Sequence, residues 1–141
     1  MNADILVVGA HPDDIEIGIG GAVCKFCRAG YRVVLLDLTR GESGTRGSVE
    51  ERAREAARAA DILGVCVREN AGLPDGGLAN IPEQRKVVAE YIRKYTPRII
   101  LAPMNQDRHP DHNAAHELVR DANHLAGVGG LESEYPRFRS K

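Results

Sequence analysis

No apolar run in the 141-residue sequence approaches the roughly 20 residues that a bilayer-spanning helix needs. The N-terminus lacks a basic start followed by a long apolar stretch, so no secretory signal is read there. An excess of one charge is missing too: 19 Lys and Arg stand against 20 Asp and Glu, a formal net charge of −1. That balance gives no reason to expect broad nucleic-acid or acidic-membrane binding. Cysteine is scarce and odd in number, three in all, and nothing indicates an oxidising compartment. Repeats and low-complexity tracts are absent. These absences point to a soluble, cytoplasmic protein with neither membrane nor nucleic acid as partner. What is present is ordinary for a globular chain: 43% apolar and 28% charged residues, and enough length for one domain with a real core.

The hydrophobic pattern alternates between strand and helix. Asp4 to Gly9 reads as a buried strand, and Gly18 to Arg28 as a helix with Ile19, Ala22, Val23 and Phe26 at helical spacing. "YRVVLLDL" (Tyr31 to Leu38) is a second strand, and its near-continuous apolar run fits a strand covered on both faces. Ser48 with Glu51 forms a capping box for a helix from Val49 to Leu63, which Gly64 ends. Val65 to Glu69 is a short third strand. Asn80 with Glu83 repeats the capping pattern for a helix reaching about Tyr95. Pro97 to Ala102 is a fourth strand, and a last helix runs from about Pro110 to Leu125. Such alternation predicts an α/β fold: a Rossmann-like parallel sheet of order 3-2-1-4 with helices on both faces. Strands one and four then adjoin at the topological switch point, where such sheets bind ligands.

The loop after strand one reads "GAHPDDIEIG" (residues 9–18). In place of phosphate-cradling glycines it carries His11, Asp13 and Asp14. The loop after strand four carries Asp107, His109, Asp111 and His112. The predicted order sets these two loops face to face. Two His and one carboxylate, with water in an open position, make a common catalytic zinc set, and we assign His11, Asp14 and His112 as its ligands. Asp13 then lies beside the metal, free to take a proton from a water whose pKa zinc lowers to about 7. His109, as an imidazolium, is placed to stabilise an oxyanion and later to protonate a leaving amine. Asp111 is the group to orient a His nitrogen. Each feature alone has a plainer use. His-Pro-Asp is often only a turn, Asp13 and Asp14 could cap a helix, and His109 could simply precede a Pro-initiated one. The pairing of two such clusters on adjacent strand ends favours the metal site.

At these residues the sequence resembles the LmbE / PIG-L family of zinc-dependent N-deacetylases, whose hallmarks stand here as "AHPDD" (Ala10 to Asp14) and "HPDH" (His109 to His112). "DLTRGESGTRG" (Asp37 to Gly47), "LPDGGL" (Leu73 to Leu78) and "DRHPDHNAAH" (Asp107 to His116) resemble the bacillithiol-biosynthesis branch. That branch removes acetyl from N-acetylglucosaminyl malate. The resemblance implies the same roles for His11, Asp14, His112, Asp13 and His109, and a small N-acetyl sugar conjugate as substrate. It makes Arg108 a substrate contact, since a guanidinium fits a planar carboxylate in bidentate fashion. Arg40, Glu42 and Arg46 are further substrate-binding candidates, on the loop after strand two. Family members are often homo-oligomers. They are also longer, so residues 1–141 read as a single α/β deacetylase-like domain without the family's C-terminal portion. The ligand set accepts Zn2+, and also Fe2+ or another divalent ion.

Other signals are weaker. Cys24 and Cys27 form a C-x-x-C without a second pair, inside a helix, and read with Cys66 as core residues. "GIGG" (Gly18 to Gly21) is not a dinucleotide fingerprint and reads as close helix packing. Asp37, at the end of strand two, stands where a ribose-binding acid would lie. It keeps open a non-catalytic Rossmann-like nucleotide- or sugar-binding module as the alternative.

Overall fold

A computed structural model describes residues 1–141. Four parallel strands alternate with four helices: β1 (Ile5–Gly9), α1 (Asp14–Arg28), β2 (Val33–Thr39), α2 (Val49–Leu63), β3 (Val67–Leu73), α3 (Pro82–Tyr95), β4 (Ile99–Leu101) and α4 (Pro110–Ala126). The sheet order is β3-β2-β1-β4, as the alternation predicts. No helix is long and apolar enough to cross a membrane.

The period of two along the central strands divides the core. Leu6, Val8, Val34, Leu36 and Leu38 face α3 and α4, where Val88, Ile92, Leu118 and Val119 cover them. Ile5, Val7, Val33 and Leu35 face the other way, toward Ile15 and Val23 of α1. Every residue of β1 and β2 is buried, while the edge strands β3 and β4 are partly open. Burial on both faces explains the unbroken apolar runs of the two central strands.

Several boundaries differ from the sequence expectation. α1 starts four residues early, at Asp14, and kinks at Ile19 (φ −140°, ψ 21°). The apolar period becomes regular only beyond that kink. β3 begins at Val67 and runs to Leu73, because its polar outward residues hide a half-exposed edge strand. Asn80 does not cap α3. The N-cap is Ile81, without a side-chain bond, and Asn80 instead donates to Asp121 (2.7 Å) and accepts from Arg85 (3.0 Å). Ser48 does cap α2, accepting from the Glu51 N–H at 3.0 Å. Cys66 is exposed and Cys24 and Cys27 are half-buried, so none is a core thiol. Gly18, Gly20 and Gly21 have nothing within 4 Å of an added Cβ and do not serve close packing. After α4 the chain folds back over it, held by buried Arg93, which donates to the carbonyls of Ala126, Val128 and Leu131. Ser140 Oγ donates to the Arg98 carbonyl beside the start of β4.

Candidate active site

β1 ends at Gly9, opposite Asp37 of β2. A Cβ on Gly9 would lie 2.8 Å from Ile15 Cγ1, so only glycine lets the first turn of α1 fold back against the strand. The connecting turn is fixed at Ala10, whose carbonyl accepts from both Thr39 N–H and Thr39 Oγ1. Asp13 then takes up left-handed backbone angles (φ 92°, ψ −22°) and makes no capping bond, which removes the helix-cap reading of this residue. Asp13 is thus a strained, non-capping Asp whose side chain is 61% exposed beside the crevice.

β4 lies against β1 in parallel, so the start of α4 rises opposite that turn. His109 is the N-cap of α4, with Pro110 in its first turn. Its Nδ1 accepts from the Asp111 N–H at 3.1 Å. Asn113 holds the Asp107 backbone at both ends, accepting from its N–H (2.8 Å) and donating to its carbonyl (2.9 Å).

The two loops meet at Asp14. Its Oδ2 lies 3.0 Å from His11 Nδ1 and 3.0 Å from His112 Nε2. These separations approach the roughly 3.3 Å edge of a tetrahedron whose arms are about 2.0–2.1 Å. The far nitrogen of each imidazole faces a carboxylate. Asp111 Oδ2 is 2.8 Å from His11 Nε2, and Asp107 Oδ2 is 3.0 Å from His112 Nδ1. Two nitrogens and one oxygen, each ring backed by an acid, fit a divalent metal in both donor type and orientation. The His109 ring completes the group, centred 4.7 Å from that of His11 and 5.0 Å from that of His112.

Electrostatics follow from this crowding. The bond to Asp14, helped by Asp111 against the cost of burial, raises His11 to about 9. Burial alone would push Asp14 up, but its bonds with the His11 side chain and backbone hold it below the usual carboxylate range. Asp111 is lowered in the same way, against burial, by His11 and by the Gly76 and Leu78 N–H groups. Asp13 is raised, chiefly by burial and then by the charge of Asp14.

Four participants escaped the sequence reading. Asp75 Oδ1 is 3.1 Å from His11 Nε2, whereas "LPDGGL" carries a family resemblance in sequence but no role for Asp75. Asp107 is legible as part of the second loop, but its pairing with His112 is not. Arg52 of α2 donates to the Gly41 and Pro12 carbonyls at 3.0 and 2.8 Å. Arg68 grips Asp37 with two bonds, at 2.7 and 3.0 Å, which occupies the acid that the dinucleotide reading needed. The substrate candidates are dispersed. Arg108 is exposed, beside Asn105, Gln106 and Asn113. Arg40 and Arg46 are exposed, and Glu42 Oε2 accepts from the Asp75 N–H at 2.9 Å. A cavity of about 450 Å³ opens beside the cluster, walled by Val8, Ile15, Leu101 and Met104 and floored by Asp14 and His112.

Comparison with known proteins meets the geometry here. The family profile described as PIG-L, GlcNAc-PI de-N-acetylase, matches residues 6–123, a span that holds every residue of the cluster. The chain belongs to the PIG-L family. Among curated PIG-L relatives, the diacetylchitobiose deacetylase of Thermococcus kodakarensis is 37% identical over 134 residues, covering 88% of this chain and 50% of its own length. The chain thus spans about half of that relative. The crystal structure of the conserved protein TT1542 from Thermus thermophilus superposes with a TM-score of 0.93 at 48% identity, covering 98% of this chain and 63% of that one. GalB, the 4-carboxy-2-hydroxymuconate hydratase of a Pseudomonas putida strain, superposes with a TM-score of 0.83 at 25% identity, over 99% of this chain and 63% of its own.

Proposed function

We propose that this PIG-L chain forms the metal-binding part of an N-deacetylase that hydrolyses the acetamide of an N-acetylglucosamine conjugate to acetate and a free amine. One observation carries the reading: His11, Asp14 and His112 converge from two loops, with both rings backed by carboxylates. The named activity of the Thermococcus relative, on an N-acetyl sugar, supports the substrate class. These three residues would hold Zn2+ or another divalent ion. Such an ion, when bound, polarises an amide carbonyl and lowers the pKa of its water to about 7. Asp13, exposed beside Asp14, takes the proton from the attacking water, and that proton passes to the leaving nitrogen as the C–N bond breaks. His109 donates its Nε2 proton toward the carbonyl oxygen as charge develops there. Asp111 and Asp107 keep the His11 and His112 rings in register. Arg108 takes the carboxylate of an aglycone such as malate, with Arg40 and Arg46 as further contacts around the sugar. We place the protein in the cytoplasm and expect it to form homo-oligomers.

The deciding experiment measures metal content and acetate release together, on N-acetylglucosamine, N,N′-diacetylchitobiose and N-acetylglucosaminyl malate. About one metal per chain is expected, with acetate release abolished by a chelator and restored by zinc. The likeness to a hydratase favours one competing reading, in which the same crevice adds water to an unsaturated carboxylate. Metal uptake without acetate from any of the three sugars, but with hydration of a muconate-type substrate, would establish that reading instead.

A further inference from the structure

Under the cluster, on the α1 side of the sheet, lies a guanidinium that the chemistry above does not use. Arg68 projects from β3 with its side chain 6% exposed. Nε and one terminal nitrogen bond both oxygens of Asp37 on β2, at 2.7 and 3.0 Å. The two terminal nitrogens bond both oxygens of Glu16 on α1, at 2.9 and 3.0 Å, and one also reaches the Ala56 carbonyl of α2 at 3.3 Å. All five N–H groups of the side chain are thereby used. A planar fork engaged on two sides fixes direction as well as distance.

Joining β3 to β2 requires only the Asp37 fork. The second fork goes to the first turn of α1, two residues beyond Asp14. The start of that turn is also held by the His11 N–H on Asp14 Oδ2 at 2.9 Å and by Arg52 on the Pro12 carbonyl at 2.8 Å, both ahead of Glu16. Its N-cap, Asp13, makes no side-chain capping bond, and the kink at Ile19 separates it from the body of the helix. Gly18, on its far side, carries no side chain and faces open space where a Cβ would stand. Ile15 secures the turn to the core, but an apolar contact does not set its rotation. Glu16, held flat between two guanidinium nitrogens, does.

We infer that Arg68 is a positioning residue for the metal site: acting through Glu16, it sets the rotation of the first turn of α1 and so the aim of the Asp14 carboxylate. The inference rests on the metal-site reading above. It means that a residue on β3, outside both hallmark motifs, governs metal affinity.

Replacing Arg68 would strand Asp37, so the variant of choice is Glu16→Ala, which opens only the α1 fork. Val33→Ala, in the core at the opposite end of β2, is the control for lost stability. Two quantities are read: the Zn2+ dissociation constant by competition with a chromogenic chelator, and amide hydrogen exchange in the metal-free chain. The amides to follow are His11, Asp14 and Ile17, each hydrogen-bonded in this turn. Glu16→Ala is expected to weaken zinc binding about tenfold, as loss of an outer support to a ligand does, and to speed exchange at those amides. Val33→Ala is expected to lower the melting temperature and move neither quantity. Zinc affinity within twofold of wild type in Glu16→Ala, unchanged exchange, or an equal loss of zinc in the Val33→Ala control would overturn the inference. If the wild-type chain takes up no zinc, the metal reading fails, and exchange alone then decides whether Arg68 orients the turn.

Discussion

Asp13 sits at φ 92°, where a residue with a Cβ loses roughly 1–2 kcal/mol relative to ordinary backbone. Nothing in the fold compensates it: the side chain caps no helix, and its closest cation, an Arg52 nitrogen, is 3.7 Å away at an exposed position. Gly would fit the turn better, and the proton abstraction proposed for Asp13 is a reason for a carboxylate to stand there. Asp13→Gly should therefore raise stability by about 1 kcal/mol in denaturant titrations, and Asp13→Ala should leave it nearly unchanged. Both should bind metal with unaltered stoichiometry and lose acetate release by a factor on the order of 10²–10⁴, the usual worth of a general base. Hydrolysis within tenfold of wild type in either variant would remove Asp13 from the role. His109 teaches a complementary lesson at the same scale. Its residue type and its place before Pro110 were both legible, but its bond from the Asp111 N–H was not, because that depends on how the first turn of α4 closes.

At the scale of elements, α1 shows what sequence carries and what it hides. Its body was legible from the spacing of Ile19, Ala22, Val23 and Phe26, whereas its first turn was not. That turn begins on a left-handed Asp, bears no side-chain cap and is set off from the rest by a kink, so its apolar period does not run on into the body of the helix. Its fit against β1 depends instead on Gly9. In Gly9→Ala the new methyl would meet the buried, β-branched Ile15 at 2.8 Å, an overpacking worth about 1–3 kcal/mol. The strain falls on the turn that bears Asp14, so metal affinity should drop with stability. Gly21→Ala, exposed on the same helix with open space around it, should stabilise by about 0.5–1 kcal/mol and leave metal affinity alone. Thermal melts and zinc titrations of the pair check both directions, and a harmless Gly9→Ala would show that the turn is not seated against the strand. β3 was misplaced from sequence for a different cause. Arg68, Glu69 and Asn70 break its apolar run, and their partners Asp37, Glu16, Lys94 and Tyr95 are remote in the chain.

For the molecule as a whole, the strand order was legible because alternation and handedness leave few topologies, and that order alone brings the two motif loops together. The supports of the site were hidden, since Asp75, Arg52 and Arg68 reach it from three other segments. This convergence ties global stability to one imidazole. In the metal-free chain His11, only 9% exposed, is shared by Asp14 and Asp111 and is raised from 6.5 to about 9. Between those values the folded state holds a proton that the unfolded chain has released, so unfolding becomes easier as pH rises. Stabilisation on the order of 2–3 kcal/mol should be complete below about pH 6.5 and gone once pH has climbed past about 9. Metal reverses the sign, because it needs His11 without that proton, so zinc binding should tighten across the same interval. Melting temperatures of stripped and zinc-loaded protein from about pH 6 to 9.5 should thus diverge, the first falling and the second holding or rising. His11→Asn should flatten the stripped curve. A stripped wild-type chain whose melting is indifferent to pH would mean that His11 does not bridge the two loops in solution.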